Sequence, residues 1–196
     1  MAKRLFDIIF SLLALILLSP LFLFIAIGII LDSRGGVFYR QMRVGKNNSD
    51  FLLYKFRTMR RDSDRKGLIT VGSRDSRVTS FGYYLRRFKL DELPQLINIL
   101  RGDMSFVGPR PEVRKYVEMY DVEQLKVLSV RPGLTDYASL AYINENEILQ
   151  KSVDPEKTYV EVIMPAKLEL NKKYIREKNF FTDMKIIGKT ILKIFS

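Results

Sequence analysis

The chain contains no cysteine and no histidine among its 196 residues. Their absence excludes disulfides, thiolate nucleophiles, imidazole general bases and the usual Cys/His zinc sites. Acid–base or covalent chemistry therefore falls to carboxylates, Lys, Tyr or Ser, and a metal would take oxygen ligands, which points to Mg²⁺ or Mn²⁺. Negative charge is also scarce: 22 Asp and Glu stand against 33 Lys and Arg, a formal net charge of +11. Such an excess calls for an anionic partner, which is a nucleic acid, a membrane surface or a phosphorylated substrate. Between Asp32 and Lys89 there are fifteen Lys and Arg but five Asp and Glu, so the excess is concentrated there. No nucleic-acid reading motif accompanies it, and the apolar N-terminus argues for no nucleic acid. Internal repeats and low-complexity segments are absent.

What is present begins with an apolar run from Leu5 to Leu31, interrupted by Asp7, Ser11, Ser19, Pro20 and Gly28. It is long enough to cross a bilayer and lacks a signal peptide's cleavage pattern. Ser19-Pro20 lies at its middle, where proline removes a helical hydrogen bond and bends the helix. Lys3 and Arg4 precede the run, and Arg34, Arg40 and Arg43 follow it. Positive flanks on both sides pull both ends toward the cytoplasm, which favours a re-entrant helix over a spanning one. The organisation expected is a membrane element over 1–33 and a cytoplasmic domain over 34–196. The fold expected is α+β and predominantly helical, a single domain with one β-hairpin and amphipathic interfacial helices.

The most informative stretch runs from Leu90 to Glu112. Leu93, Leu96, Ile97 and Leu100 follow helical spacing, and Gly102 would end that helix. Asp91 and Glu92 would sit at its N-terminus, where free backbone N–H groups favour a carboxylate or a bound phosphate. Pro94 suits the first turn. A plain N-cap and a catalytic carboxylate are both compatible with Asp91. Arg110 lies between Pro109 and Pro111, a rigid display suited to bidentate phosphate recognition, though a surface arginine in a tight turn reads the same way.

Two β-prone segments, 37–43 and 51–59, flank a turn-like Val-Gly-Lys-Asn-Asn-Ser-Asp and predict the hairpin. Lys55 and Arg57 would share one strand face and line a diphosphate site, or simply form a wet face. Residues 60–80 are polar and read as a loop. Arg86 and Arg87 lead into the Asp-Glu pair, placed to ion-pair with it or to bind phosphate. Helical patterns follow up to Tyr120 and from Val122 to Val130, then from Asn144, then from Pro155 to Lys178 with a bend at Pro165. From Met184 to Phe195, Lys185, Lys189 and Lys193 recur every four residues opposite Met184, Ile187, Ile191 and Ile194 or Phe195. A helix of that kind lies in a headgroup region or docks on a core.

Leu-Asp-Glu-Leu-Pro-Gln-Leu with Arg-Gly-Asp-Met-Ser-Phe-Val-Gly-Pro-Arg-Pro resembles the bacterial monotopic phosphoglycosyl transferases, the small PglC-like sugar transferases. The likeness extends to Lys-Arg-Leu-Phe-Asp at 3–7, Tyr-Lys-Phe-Arg-Thr-Met at 54–59 and Val-Arg-Pro-Gly-Leu-Thr at 130–135. It implies the re-entrant geometry, a location at the bacterial inner membrane with the site facing the cytoplasm, and transfer of a phosphosugar from a UDP-sugar to polyprenol (undecaprenyl) phosphate, releasing UMP. In that reading Asp91 is the nucleophile and touches Mg²⁺ (or Mn²⁺), Glu92 assists, and Arg110, Arg86, Arg57 and Lys55 hold phosphates. Membrane lipid is a further partner, and a homodimer is left open. The chain departs from the commoner family pattern at 135–147 and at Asn171, which leaves the sugar unassigned. A non-catalytic membrane scaffold that binds anionic lipid is the alternative, and it leaves the Pro-Arg-Pro turn and the paired carboxylates unexplained.

Overall fold

The computed structural model describes residues 2–61, 63, 72 and 75–195. Most of the fold is helical, with two small two-stranded sheets. The apolar run forms helix α1 (Ala2–Leu17) and helix α2 (Ser19–Asp32), bent by 60° at Leu18. The bend has a local cause. Pro20 has no N–H to offer the Ile16 carbonyl, and the Ser19 hydroxyl donates to that carbonyl instead, at 2.8 Å. Neither helix alone is long and apolar enough to cross a membrane; the bent pair passes that test only together.

The hairpin forms as expected. Strand β1 (Phe38–Val44) pairs antiparallel with β2 (Asp50–Phe56), Tyr39 opposite Lys55 and Arg43 opposite Phe51. Helix α3 (Ser80–Arg87) follows, its N-cap Thr79 accepting from the Gly82 N–H. Residues 60–80 lie partly outside the described residues; at their edges Met59 bridges Val78 and the Arg60 N–H donates to the Arg77 carbonyl.

The expected helix from Leu90 is divided. A 3₁₀ turn spans Leu90–Glu92, and helix α4 begins only at Gln95, running to Arg101 with left-handed Gly102 closing it. Gly102 adopts φ 95°, a conformation that suits glycine because it has no Cβ. The sequence also concealed a second sheet. Strand β3 (Ser105–Val107) pairs in parallel with β4 (Gly133–Thr135), a second small sheet beside the one expected hairpin. Gly133 is required there: a Cβ on it would fall 2.1 Å from the Gly108 nitrogen.

Between the strands, the two expected helices shrink to α5 (Arg114–Val117) and a 3₁₀ segment Gln124–Ser129. Short helices α6 (Tyr137–Ala141), α7 (Glu145–Gln150) and α8 (Pro155–Thr158) come next. A π-helical turn, Tyr159–Ile163, then precedes α9 (Met164–Glu177). Pro165 is its cause, since a residue without an N–H cannot close the ordinary turn onto Glu161. Helix α10 (Phe180–Phe195) starts one turn earlier than its sequence pattern suggested, and it buries Asp183 and Ile186 rather than Ile191.

The apolar pair is packed into the fold rather than appended to it. Ile25 and Ile29 bury against Phe56 and Leu85, while Ala14, Leu15 and Leu18 pack on Leu53, Leu96 and Ile99. A separate core gathers Tyr116, Val127, Leu149, Ile163 and Leu168.

Candidate active site

Two segments distant in sequence converge on Glu92. From β2, Lys55 Nζ donates to Glu92 Oε1 at 3.0 Å. From the turn after β3, Arg110 donates through Nη1 to Oε2 at 3.1 Å and through Nη2 to Oε1, a bidentate pair. The Glu92 side chain is 13% exposed. Burial pushes its carboxyl up, but Arg110 and Lys55 overcome that and hold it well below the usual carboxylate range. In return Glu92 raises Arg110 above its ordinary value. Burial outweighs Glu92's attraction at Lys55 and lowers that ammonium.

Asp91 differs from its neighbour. Its carboxylate is buried and makes no ion pair among the described residues. Burial pushes its carboxyl up; Lys55 and Arg86 draw it back, the Glu92 charge adds to the rise, and the net direction is upward. The pair therefore splits into a locked anion that organises cations and an uncommitted carboxylate beside them. Lys89 takes a left-handed φ of 56°, which turns the chain out of α3 and into the 3₁₀ turn that carries both.

The Pro-Arg-Pro turn is fixed from several directions. Gly133 N–H donates to the Pro109 carbonyl at 2.9 Å, and Gly108 N–H to Thr135 at 3.1 Å. Arg43 donates to the Pro111 carbonyl at 3.1 Å and pairs with Glu112. Asp136, fully buried, accepts the Arg110 N–H at 3.1 Å while capping α6 through Ser139 N–H at 2.6 Å. Arg110 is thus rigid through its backbone as well as through its prolines.

Of the residues singled out in the sequence, Asp91, Glu92, Lys55 and Arg110 lie together. Arg86 donates to the Thr58 hydroxyl at 2.8 Å, and its charge acts on Asp91, so it borders the same site. Burial lowers its own ordinary value. Arg57 does not join them. It follows β2, and its guanidinium donates to the Ser33 and Arg34 carbonyls, both at 2.8 Å, clasping the exit of α2. Asp136 was missed because the residue it holds lies 26 positions away; its capping of α6 was the only local signal.

For a metal, no group of three or more Asp or Glu converges among the described residues. Mg²⁺ commonly needs only one or two carboxylates when substrate phosphates complete its shell. Asp91, the uncommitted oxygen donor here, fits that mode, whereas Glu92 is fully occupied by cations.

Comparison with known proteins gives these residues a context. A family model described as bacterial sugar transferase matches residues 1–196. The chain is 38% identical over 197 residues to the UDP-N-acetylgalactosamine-undecaprenyl-phosphate N-acetylgalactosaminephosphotransferase of Aeromonas hydrophila, covering 99% of this chain and 44% of that protein. It is 36% identical over 201 residues to the UDP-glucose:undecaprenyl-phosphate glucose-1-phosphate transferase of Escherichia coli, covering 98% of this chain and 40% of the relative. Against the exopolysaccharide production protein ExoY of Rhizobium meliloti it is 35% identical over 206 residues, covering 97% of this chain and 84% of that one. The chain thus spans less than half of two of these relatives and most of the third.

Proposed function

The chain belongs to the bacterial sugar transferase family, and from that premise we propose that it transfers a phosphosugar from a UDP-sugar to undecaprenyl phosphate, giving undecaprenyl-diphosphate-sugar and UMP. The relatives' names supply the reaction, and the observation that carries it to this chain is the Asp91–Glu92 pair with its buried cations. The step opens a glycan assembly pathway at the inner face of the bacterial cytoplasmic membrane, where the bent pair α1–α2 enters the bilayer and returns, and α10 lies along the surface.

Asp91 attacks the β-phosphorus of the nucleotide sugar. The bond from that phosphorus to the UMP oxygen breaks, and an aspartyl-phosphosugar forms. A phosphate oxygen of undecaprenyl phosphate then attacks the same phosphorus and releases the Asp91 carboxylate. Both attacking groups are anions, so neither step needs a general base. Each must approach a negatively charged diphosphate, and Arg110, Lys55 and Arg86 offset that repulsion. Glu92 has a positioning role, holding Arg110 and Lys55 at the site while its own charge stays tied to theirs. Mg²⁺ or Mn²⁺, held by Asp91 with substrate oxygens, would supply further charge neutralisation.

The test is UMP release from a panel of UDP-sugars with undecaprenyl phosphate and Mg²⁺ in detergent, wild type beside Asp91→Asn. Turnover of at least one sugar by wild type and none by the variant is expected, with UMP release in the absence of the lipid acceptor limited to one equivalent. Equal turnover by Asp91→Asn removes the nucleophile from this reading.

A further inference from the structure

An open groove of about 630 Å³ lies between α6, α9 and α10, away from Asp91 and not used by the mechanism. Leu140, Leu170 and Leu192 line it, and Lys173, Lys189 and Lys193 stand around it. Neither Lys173 nor Lys189 forms an ion pair among the described residues, although Lys173 rests over the Tyr137 ring at 5.9 Å. Lys193 donates to the Leu140 carbonyl at 2.7 Å, tying the end of α10 to α6 beside the groove. The Tyr137 hydroxyl beside the groove donates to Glu177 at 3.2 Å.

Three cations around an apolar floor suit a ligand that is itself amphiphilic, with an anionic head and a hydrocarbon tail. A soluble phosphate has no use for the leucines, and a neutral lipid has none for the lysines. Helix α10 runs from the apolar pair to the groove. Helix α10 starts against α1, where Phe180 meets Phe6 edge-on at 5.9 Å and Lys3 pairs with Asp183. Along α10, Phe181 and Leu192 are 84% and 73% exposed with exposed Lys185 and Lys189 between them, so the helix carries mixed apolar and basic side chains from the apolar pair to the groove.

We infer that this groove binds an anionic phospholipid, its headgroup phosphate among Lys173, Lys189 and Lys193 and its acyl chains on Leu140, Leu170 and Leu192. The inference rests on the reading that α1–α2 seats the chain in a membrane. A bound lipid would fix α10 against α6 and α9, and thereby the β3–β4 pair beneath α10 that carries the Pro-Arg-Pro turn.

The full chain is incorporated into nanodiscs of phosphatidylcholine with phosphatidylglycerol, part of the latter bearing a photo-crosslinker on an acyl chain. Co-elution with the discs reports the membrane seat independently of the groove. The expected crosslinks map to α6, α9 and the last turns of α10. They fall on the order of fivefold for each charge removed in Lys173→Gln and Lys189→Gln, as a lysine near an anionic surface should. Ala141→Trp keeps every charge and fills the exposed floor of the groove, and it should abolish these crosslinks while leaving disc incorporation intact. Crosslinks unaffected by Ala141→Trp, or confined to Phe180 and Phe181, would show only a charged surface and overturn the site. Displacement by inorganic phosphate at equal concentration would make it a phosphate site, and displacement by undecaprenyl phosphate but not by excess phosphatidylglycerol would assign it to the acceptor; either result overturns the inference.

Discussion

Replacing Glu92 with Gln is the most direct test of the division of labour between the two carboxylates. Glu92 accepts from Lys55 and twice from Arg110. Lys and Arg are donors only, so a glutamine must turn its amide NH₂ toward one of them and lose that bond as well as the charge. Breaking a buried ion pair from one side costs about 3–5 kcal/mol. The Arg110 side chain is 33% exposed, so solvent relieves part of that and the lower end applies. A loss of about 3 kcal/mol, expressed in the transition state through a displaced Arg110, lowers the rate by a factor on the order of 10². The assay is UMP release together with thermal unfolding in detergent, on Glu92→Gln, Arg110→Gln and the double variant. Because the two residues form one network, the double variant should be less impaired than the product of the single effects. Wild-type rate and melting temperature in Glu92→Gln, or strictly multiplicative effects in the double variant, refute the argument that Glu92 works by holding Arg110.

Asp136→Ala leaves the N–H groups of Arg110 and Ser139 buried without their acceptor and removes a helix cap, a loss of about 2–3 kcal/mol. Asp136→Asn, which keeps one acceptor oxygen, should recover part of the stability and of the KM for the UDP-sugar; identical behaviour of the two variants would contradict a positioning role. For Lys55→Met the sign follows from Asp91. Its carboxyl is raised by burial and drawn down by Lys55, so the proposed nucleophile ionises as pH climbs through a raised value. Removing Lys55 raises that value further and should move the acid limb of the pH–rate profile to higher pH. A shift to lower pH would show that Lys55 does not act on Asp91. Chelation by EDTA should stop UMP release and added Mg²⁺ restore it; undiminished turnover in EDTA argues against a metal at Asp91.

The sequence disclosed the parts whose cause is local. Ser19-Pro20 marks the bend, turn residues at 44–50 mark the hairpin, and the motif from Leu90 to Glu112 names three of the five residues that meet or border the site. It was silent where the cause is a distant contact. Strands β3 and β4 have three residues each, too few for an alternating pattern, and they exist because Gly108 and Gly133 let two backbones approach. Lys55 and Arg57 share a spacing of two, which suggested one diphosphate-binding face. The strand ends at Phe56, and Arg57 instead serves the unpaired carbonyls at the end of α2. Asp136 reads as an ordinary helix cap until Arg110 is folded against it.

The polar residues of the apolar run explain why the apolar pair and the site cannot be considered separately. Asp7 and Ser11 in α1 are only 2% and 0% exposed. A carboxylate in such a helix is costly against hydrocarbon and tends to face protein; Asp7 accepts from the Ser105 hydroxyl at 3.1 Å and from Phe106 N–H at 3.2 Å, fixing the start of β3. One turn earlier, Arg4 donates to the Ile99 and Leu100 carbonyls at the C-terminus of α4, the first of which also accepts from the Gly102 N–H. Helix α4 follows the turn that carries Asp91 and Glu92, and β3 leads to Arg110. The same N-terminal helix that exposes an apolar surface therefore sets the register of both halves of the site. A lipid-borne acceptor and a soluble nucleotide sugar would then meet at a point whose height is fixed by the first seven residues of the chain.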